Sequence, residues 1–190
     1  MMKHPDSLVC SRIDSPLGPM LLATTDAGLA GAWFVRGQRD TPDPTAWALA
    51  PDHPVLRQAA AQLAEYFSGR RNAFELALDL SHGTAFQQAV WQALLAIPFG
   101  QTTSYGTLAT RIGRPKAVRA LGAAVGRNPI GIIVPCHRIM GANGALTGYA
   151  GGLQRKKALL ALEGAGKDLR VPPRVRLYVR GRTVRAAVEG

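Results

Sequence analysis

The chain has 190 residues, an apolar fraction of 47% and a formal net charge of +11 at pH 7. This length and composition predict a globular protein of one or two domains and exclude an intrinsically disordered chain. No run of 18 or more apolar residues occurs, and the first residues lack the apolar segment of a signal peptide. We therefore expect a cytoplasmic protein that has no membrane partner.

The positive charge is concentrated after residue 85. Residues 1–85 contain seven Lys/Arg and nine Asp/Glu, whereas residues 86–167 contain ten Lys/Arg and one acid, Glu163. Residues 168–190 add a net charge of +4. A solubility bias or an arginine-rich proteome is the simpler explanation, but a uniform bias would not leave the first 85 residues acidic. The distribution favours nucleic acid as the partner.

The two cysteines, Cys10 and Cys136, lie far apart in the chain. They could form one bridge, but a disulfide framework needs more, so we interpret them as reduced thiols. The four histidines are scattered, and neither a C-x-x-C nor an H-x-x-x-H spacing occurs. We predict no metal site.

The first part of the chain predicts a small α+β domain with an antiparallel sheet. Turn residues separate three strand-like runs, and a helical pattern and a fourth alternating run follow. In chain order we predict strands near 8–13, 20–24 and 29–35, a loop over 37–54, a helix over 55–69 and a strand over 74–80.

The next segment predicts helices. Thr84, with Gln87 three residues later, is typical of a capping box at the start of a helix. Two short helices follow, one capped by Ser104 and one with Pro115 in its opening turn. Such a pair on a basic chain indicates a helix-turn-helix, although any two core helices look similar.

The second helix of this pair is poor in the side chains that read base edges. It has one long side chain near its start, Arg119. A smooth helix can approach the DNA backbone or enter the minor groove without reading sequence, or it can pack tightly inside the protein. Its small residues are Ala117, Ala120, Gly122, Ala123 and Ala124.

A second motif places Cys136, His137 and Arg138 directly after an apolar run, 130–134, that predicts a strand ending at Pro135. A thiol becomes a nucleophile when it loses its proton, and neighbouring His and Arg can lower its pKa. Direct neighbours on a strand point to opposite faces, so the break at Pro135 is needed for them to share a site. The alternative is a buried cysteine beside a surface histidine and arginine.

The chain resembles the O6-alkylguanine-DNA alkyltransferase family over roughly residues 8–165. In that family an Asn-Pro pair, an apolar strand and Pro-Cys-His-Arg follow one another, as in residues 128–139. The Gly-Tyr-x-Gly-Gly loop at 148–152 and the Leu-Leu-x-x-Glu-Gly helix end at 159–164 match as well. The helix sequences SYGTLA and AVRALGAAV also match.

The resemblance implies a fold of class α+β, with a ribonuclease-H-like antiparallel-sheet domain followed by a mainly helical winged helix-turn-helix domain. We assign residues 1–83 to the first domain, 84–167 to the second and 168–190 to a basic tail outside the resemblance. Arginine alternates with apolar residues around residues 180–181, which is typical of a hairpin. An extended arm that attracts phosphates is the alternative.

The resemblance also implies an activity, the suicidal methylated-DNA–protein-cysteine S-methyltransferase of direct-reversal DNA repair. Cys136 accepts the alkyl group from guanine O6, with thymine O4 as a further candidate, irreversibly and without a cofactor. His137 acts as a base through a water molecule, and Glu163 orients it. Asn128 ties the recognition helix to the active-site strand, and Tyr105 steers the phosphate and then protonates the departing guanine.

The partner implied by the resemblance is double-stranded alkylated DNA, bound by a monomer from the minor groove with the damaged base flipped out. Cooperative loading on DNA stays open. Arg119 fills the vacated space in the stack. The implied DNA contacts are Arg119, Tyr105, Ala120, Gly122, Ala123 and Arg127. The implied base pocket is formed by Tyr149, Ala150, Gly151 and Ile139, and structural support comes from Pro135 and Arg138.

Three other classes of protein share some of these features. A non-catalytic protein that binds alkylated DNA lesions is the main alternative, and the presence of Cys136 argues against it. A helix-turn-helix regulator needs base-reading side chains that the second helix lacks. A cysteine hydrolase normally has its histidine far from its cysteine in sequence.

Overall fold

A computed structural model describes residues 8–165 of the chain and, in the tail, the backbone of residues 178–179 and 182–183. The N-terminal part is a four-stranded sheet of order β3-β2-β1-β4. Strands β1 to β3 are antiparallel neighbours, as predicted, and β4 is parallel to β1. Their bounds are β1 Val9–Ile13, β2 Met20–Thr25, β3 Gly28–Phe34 and β4 Ala48–Leu49.

Helix α1 (Pro54–Phe67) packs its apolar face on this sheet. The helical spacing of Leu56, Leu63 and Tyr66 places these side chains on one face, where they are at most 1% exposed. The predicted helix is confirmed. Its last buried residue, Tyr66, points its hydroxyl out of the sheet domain and toward the second half of the chain.

The predicted fourth strand over 74–80 is wrong. This segment is extended, but it makes only an isolated bridge between Leu78 and Leu29. The backbone of Glu75 is bonded instead by the side-chain amide of Gln62, which both donates to its carbonyl and accepts from its N–H. A side chain of α1 thus replaces the neighbouring strand, and apolar alternation alone does not reveal that substitution.

The second half of the described chain is mainly helical. Thr84 and Gln87 form the predicted capping box at the start of α2, and Ser104 caps α3. Pro115 lies in the turn before α4 and not in its opening turn, because Ala117 bonds back to Arg114 and delays the helix. The helices are α2 Ala85–Leu95, α3 Tyr105–Arg111, α4 Val118–Gly126 and α5 Leu153–Leu162.

One apolar core joins the two halves. It contains side chains of the sheet, of α1 and of all four later helices, with Met20, Trp91 and Leu159 fully buried. The indole N–H of Trp91 donates to the carbonyl of Ala124 at 2.9 Å and fixes α2 to α4. Short strands β5 (Thr103–Ser104) and β6 (Ile139–Met140) pair in parallel beside α3.

In the tail, β7 (Tyr178–Val179) pairs antiparallel with β8 (Arg182–Thr183), which agrees with the predicted hairpin. The rest of the predicted tail segment, 168–190, lies outside the described residues. In the part of the chain that the structure describes, every helix is too short or too polar to cross a bilayer.

Candidate active site

The apolar run before Cys136 is a tight turn and not the predicted strand. Ile132 has a φ of 72°, a left-handed conformation that is rare and strained for a β-branched residue. The N–H of Ile133 bonds to the carbonyl of Gly131, which makes a γ-turn centred on Ile132. The run is apolar because the core surrounds it and not because it extends a sheet.

Asn128 holds this turn together from the end of α4. Its Nδ2 donates to the carbonyl of Val134 at 2.7 Å, and its Oδ1 accepts from the N–H of Ile130 at 3.1 Å. The same Nδ2 lies 3.1 Å from Sγ of Cys136. This buried amide therefore links the helix, the turn and the thiol, at the place where the sequence predicted such a link.

Cys136, His137 and Arg138 form one turn of 3₁₀-helix after Pro135. On a strand, the side chains of neighbouring residues point to opposite faces. The helical turn after Pro135 avoids that arrangement, as expected from the proline. Cys136 reaches the surface of a cleft, whereas His137 is completely buried behind it.

Glu163, just after α5, binds the side chains of His137 and Arg138, the two residues that follow the cysteine. Its Oε1 lies 2.7 Å from Nε2 of His137. Arg138 makes a forked ion pair with it, from Nε to Oε2 at 2.8 Å and from Nη2 to Oε1 at 3.0 Å. Because a carboxylate only accepts, Nε2 of His137 carries the proton and Nδ1 is the basic atom. Among the described residues, this buried Nδ1 has no hydrogen-bond partner.

Burial is the largest cause of the pKa shifts of Cys136 and His137. Burial raises the pKa of Cys136, and the hydrogen bond from Asn128 and the charge of Lys156 offset only part of the rise. A hydrogen bond from the backbone of His137 also lowers this pKa, whereas the side chains of His137 and Arg138 turn to Glu163. Burial lowers the pKa of His137, against the pull of Glu163, so the imidazole is neutral at pH 7 and free to accept a proton.

Lys156 on α5 was not identified from the sequence. It is fully buried, and its Nζ donates to the backbone carbonyls of Ile139, Thr147 and Gly148. Burial lowers its pKa to about 8, although the charge of Cys136 opposes the shift. The ammonium therefore connects the strand after the cysteine to the glycine-rich loop.

The thiol lies in a cleft of about 360 Å³. Volumes of about 300–1,000 Å³ are typical of sites for small ligands, so the cleft has the size of a small-molecule or single-nucleobase site. One wall comes from α3 and α4, one from the glycine-rich loop and one from the N-terminal domain. The lining residues are Arg39, Asp40, Tyr105, Gly122, Ala123, Val125, Gly126, Arg127, Cys136, Gly148, Tyr149 and Ala150.

Two of the four predicted base-pocket residues line the cleft, Tyr149 and Ala150. Ile139 does not, because it is a fully buried member of β6. Gly151 does not either, because it packs behind Tyr149. A Cβ at this glycine would lie 2.7 Å from the Tyr149 ring.

The exposed face of α4 carries three of the six predicted DNA contacts. Arg119, Ala120 and Ala123 are exposed, whereas Leu121 and Val125 are buried in the core. Of the small residues, Ala124 is buried and Ala117 and Gly122 are half-buried, so the smooth face is open at Ala120 and Ala123. Arg119 lies at the start of the helix, outside the cleft.

The N-terminal domain fixes the glycine-rich loop, a role that sequence reasoning missed. The N–H of Arg39 donates to the carbonyl of Ala150 at 3.0 Å. Arg155 donates to the carbonyl of Gly151 at 2.9 Å and to two carbonyls of the N-terminal domain. These bonds hold two consecutive peptide groups of the glycine-rich loop, and long-range contacts of this kind leave no local signal in the sequence.

Two family models together match most of the chain. The model described as "6-O-methylguanine DNA methyltransferase, ribonuclease-like domain" matches residues 8–80. The model described as "6-O-methylguanine DNA methyltransferase, DNA binding domain" matches residues 85–165. The predicted order of a ribonuclease-like sheet domain and a helical domain is confirmed.

Several relatives are similar over most of their length. A "Methylated-DNA--protein-cysteine methyltransferase" of Methanosarcina acetivorans is 49% identical over 152 residues, 80% of this chain and 96% of the relative. One of the same name from Mycobacterium bovis is 52% identical over 151 residues, 80% of this chain and 89% of the relative. The crystal structure of Mycobacterium tuberculosis OGT in complex with DNA has a TM-score of 0.74 and 49% identity, with 81% of this chain and 91% of that chain covered.

Proposed function

Because the chain belongs to the 6-O-methylguanine DNA methyltransferase family, we propose that it repairs alkylated DNA by moving an alkyl group from guanine O6 to Sγ of its own Cys136. The observation that carries this proposal is the position of the thiol. It faces a base-sized cleft and is backed by the buried His137–Glu163 pair.

The first step is a proton transfer. The raised pKa of Cys136 means that the resting group is a thiol, which is a weak nucleophile. Its proton passes, through a water molecule, to Nδ1 of His137. Glu163 stabilises the imidazolium that forms, because its carboxylate stays ionised with a pKa of about 2. Nδ2 of Asn128, 3.1 Å from Sγ, then donates to the thiolate.

The second step is the displacement. The thiolate attacks the alkyl carbon, an S–C bond forms, and the C–O6 bond breaks with its electron pair left on the guanine. The guanine takes a proton as it departs. Tyr105 lines the cleft, and burial raises its pKa, so its hydroxyl is protonated and able to supply that proton. The product thioether is stable, so each chain acts once.

The cleft requires the base to leave the duplex, since O6 faces the pairing partner inside the stack. We propose that α4 enters the minor groove with its smooth face and that Arg119 occupies the vacated space. The N–H groups around Tyr149 and Ala150 then face the extruded base. The excess of cations over acids in residues 86–167 attracts the phosphates.

A single-turnover assay with peptide mapping tests the proposal. Incubation with a duplex that contains O6-methylguanine is expected to add one methyl mass to the peptide with Cys136 and to stop at one equivalent per chain. Cys136→Ser is expected to bind the duplex and transfer nothing, because a hydroxyl is a far weaker nucleophile at neutral pH. A methyl group found only on another residue, or many turnovers per chain, would refute the assignment. Binding without any transfer would instead identify a lesion-binding protein.

Arg119→Ala tests base extrusion. Unstacking and unpairing a base costs a few kcal/mol, so loss of the group that replaces it is expected to slow repair of a duplex by about ten- to a hundredfold. Reaction with the free alkylated base is expected to change little. Arg114→Ala, in the turn before α4, removes the same charge and is the matched control. Equal losses on duplex and free base would argue against the extrusion role.

A further inference from the structure

Tyr66 of α1 reaches the proton relay from the other domain. Its hydroxyl donates to Oε1 of Glu163 at 2.7 Å, and the residue is 1% exposed. The same oxygen accepts from Nε2 of His137, also at 2.7 Å. Tyr66 and Glu163, 97 positions apart in sequence, are thus joined at the oxygen that also binds the imidazole.

We propose that Tyr66 is a positioning residue of the relay, whose hydroxyl holds Oε1 of Glu163 in place and limits how strongly that oxygen attracts a proton on His137. The inference rests on the proposed function, because the relay matters only if Cys136 must lose a proton. It also gives the N-terminal domain a part in the chemistry.

The aromatic surroundings leave the Tyr66 hydroxyl little freedom. The ring packs against Phe67 and Phe74, each with centroids 5.5 Å away, and against Phe99 at 6.2 Å. Burial, and then the nearby Glu163, raise the pKa of Tyr66, so the phenol keeps its proton and acts as a donor. A buried hydroxyl needs a partner, and the carboxylate is the one it has.

The charges around His137 decide the direction of the effect. Glu163 favours the imidazolium, whereas Arg138 and Lys156 oppose it, and Cys136 is the proton source. Tyr66 takes up part of the negative charge on Oε1. Removing its hydroxyl therefore leaves more of that charge for the imidazole and raises the pKa of His137.

Tyr66→Phe is expected to move the acidic limb of the methyl-transfer rate to higher pH by about half a unit to one unit, since His137 must be neutral to accept the thiol proton. A hydrogen bond to a charged group disperses part of its charge, and the imidazole on the same oxygen senses part of that change. Single-turnover rates between pH 5 and 9 measure the shift. Phe74→Leu disturbs the same aromatic cluster without a polar change and is expected to leave the midpoint where it is.

Two further readouts separate this inference from the proposed function. Replacing Tyr66 by 3,5-difluorotyrosine strengthens the donor at nearly constant volume and is expected to shift the midpoint to lower pH. An NMR titration of ¹⁵N-labelled histidine follows the His137 ring directly, without DNA. An unchanged His137 midpoint in both Tyr66 variants would overturn the inference, whatever the repair activity. Failure of the wild-type chain to methylate Cys136 would overturn the proposed function.

Discussion

Glu163→Gln is expected to lower the rate of methyl transfer to Cys136 by about a thousandfold, within the range of about 10²–10⁴ typical of lost acid–base assistance. The glutamine oxygen can still accept from His137, but it carries no charge to stabilise the imidazolium. The proton of Cys136 then has no favourable destination. Alkylation by the duplex therefore depends on the small fraction of thiolate that a buried cysteine with a raised pKa forms unaided.

The same substitution removes the counter-charge of Arg138, whose guanidinium is buried and forked onto Glu163. Breaking a buried ion pair by removing one partner costs about 3–5 kcal/mol, so the free energy of unfolding is expected to fall by that amount. Urea unfolding measures it. Glu75→Gln, an exposed carboxylate, is the matched control and is expected to have little effect.

The stability of the wild-type chain is expected to depend on pH through the same carboxylate. Burial opposes ionisation, but hydrogen bonds from His137 and Arg138 lower the pKa of Glu163 from 4.5 to about 2. A carboxylate with a depressed pKa in the folded state stabilises the fold above pH 4.5, and this stabilisation, about 3 kcal/mol, is lost as the pH falls toward 2. The Gln variant is expected to lose this part of the acid dependence. Identical acid profiles for both chains would contradict the ion-pair assignment.

The residues that lie close together in sequence were largely predictable. The Asn128, Cys136 and His137 positions follow from one short motif, and the structure places the Asn128 amide beside the Cys136 thiol. The predicted strand that leads to Cys136 was wrong because an apolar run of five residues fits a buried turn as well as a buried strand. The left-handed conformation of Ile132 has no signature in a β-branched residue.

The missed residues are charged or polar groups on otherwise apolar helix faces. Lys156, Leu159, Leu160 and Glu163 recur at the spacing of one face, and all four are buried. Tyr66 similarly ends the buried face of α1. A lysine at helical spacing from two apolar leucines could have been identified from the sequence as a buried cation, and such a cation is rarely buried without partners. Its acceptors, backbone carbonyls 8 to 17 residues away, could not be identified before the fold was known.

Lys156→Met is expected to slow methyl transfer by at least about a hundredfold, for two separable reasons. Methionine keeps most of the apolar stem but leaves the carbonyls of Ile139, Thr147 and Gly148 without their donor. Each buried carbonyl left unsatisfied costs about 1–3 kcal/mol. The glycine-rich loop then loses its connection to the strand after Cys136 and keeps only the bonds from Arg39 and Arg155.

The second reason is electrostatic. The ammonium of Lys156 lowers the pKa of Cys136. In the Met variant, the increase of the methyl-transfer rate is therefore expected to occur at a higher pH. Rates measured between pH 6 and 10, beside urea unfolding at pH 7, separate this shift from a loss of stability. Lys157→Met, the neighbouring residue that is only partly buried, is the control and is expected to change neither.

The lowered pKa of Lys156 also predicts the direction in which the stability of the fold changes with pH. A lysine that titrates near pH 8 in the fold and near 10.5 when unfolded binds fewer protons in the folded state, so folding becomes more favourable as the pH rises between these values. The wild-type chain is therefore expected to gain stability over this window, and the Met variant is expected to lack that gain. If both chains have the same profile, folding does not lower the pKa of Lys156 and its ammonium stays charged across this window.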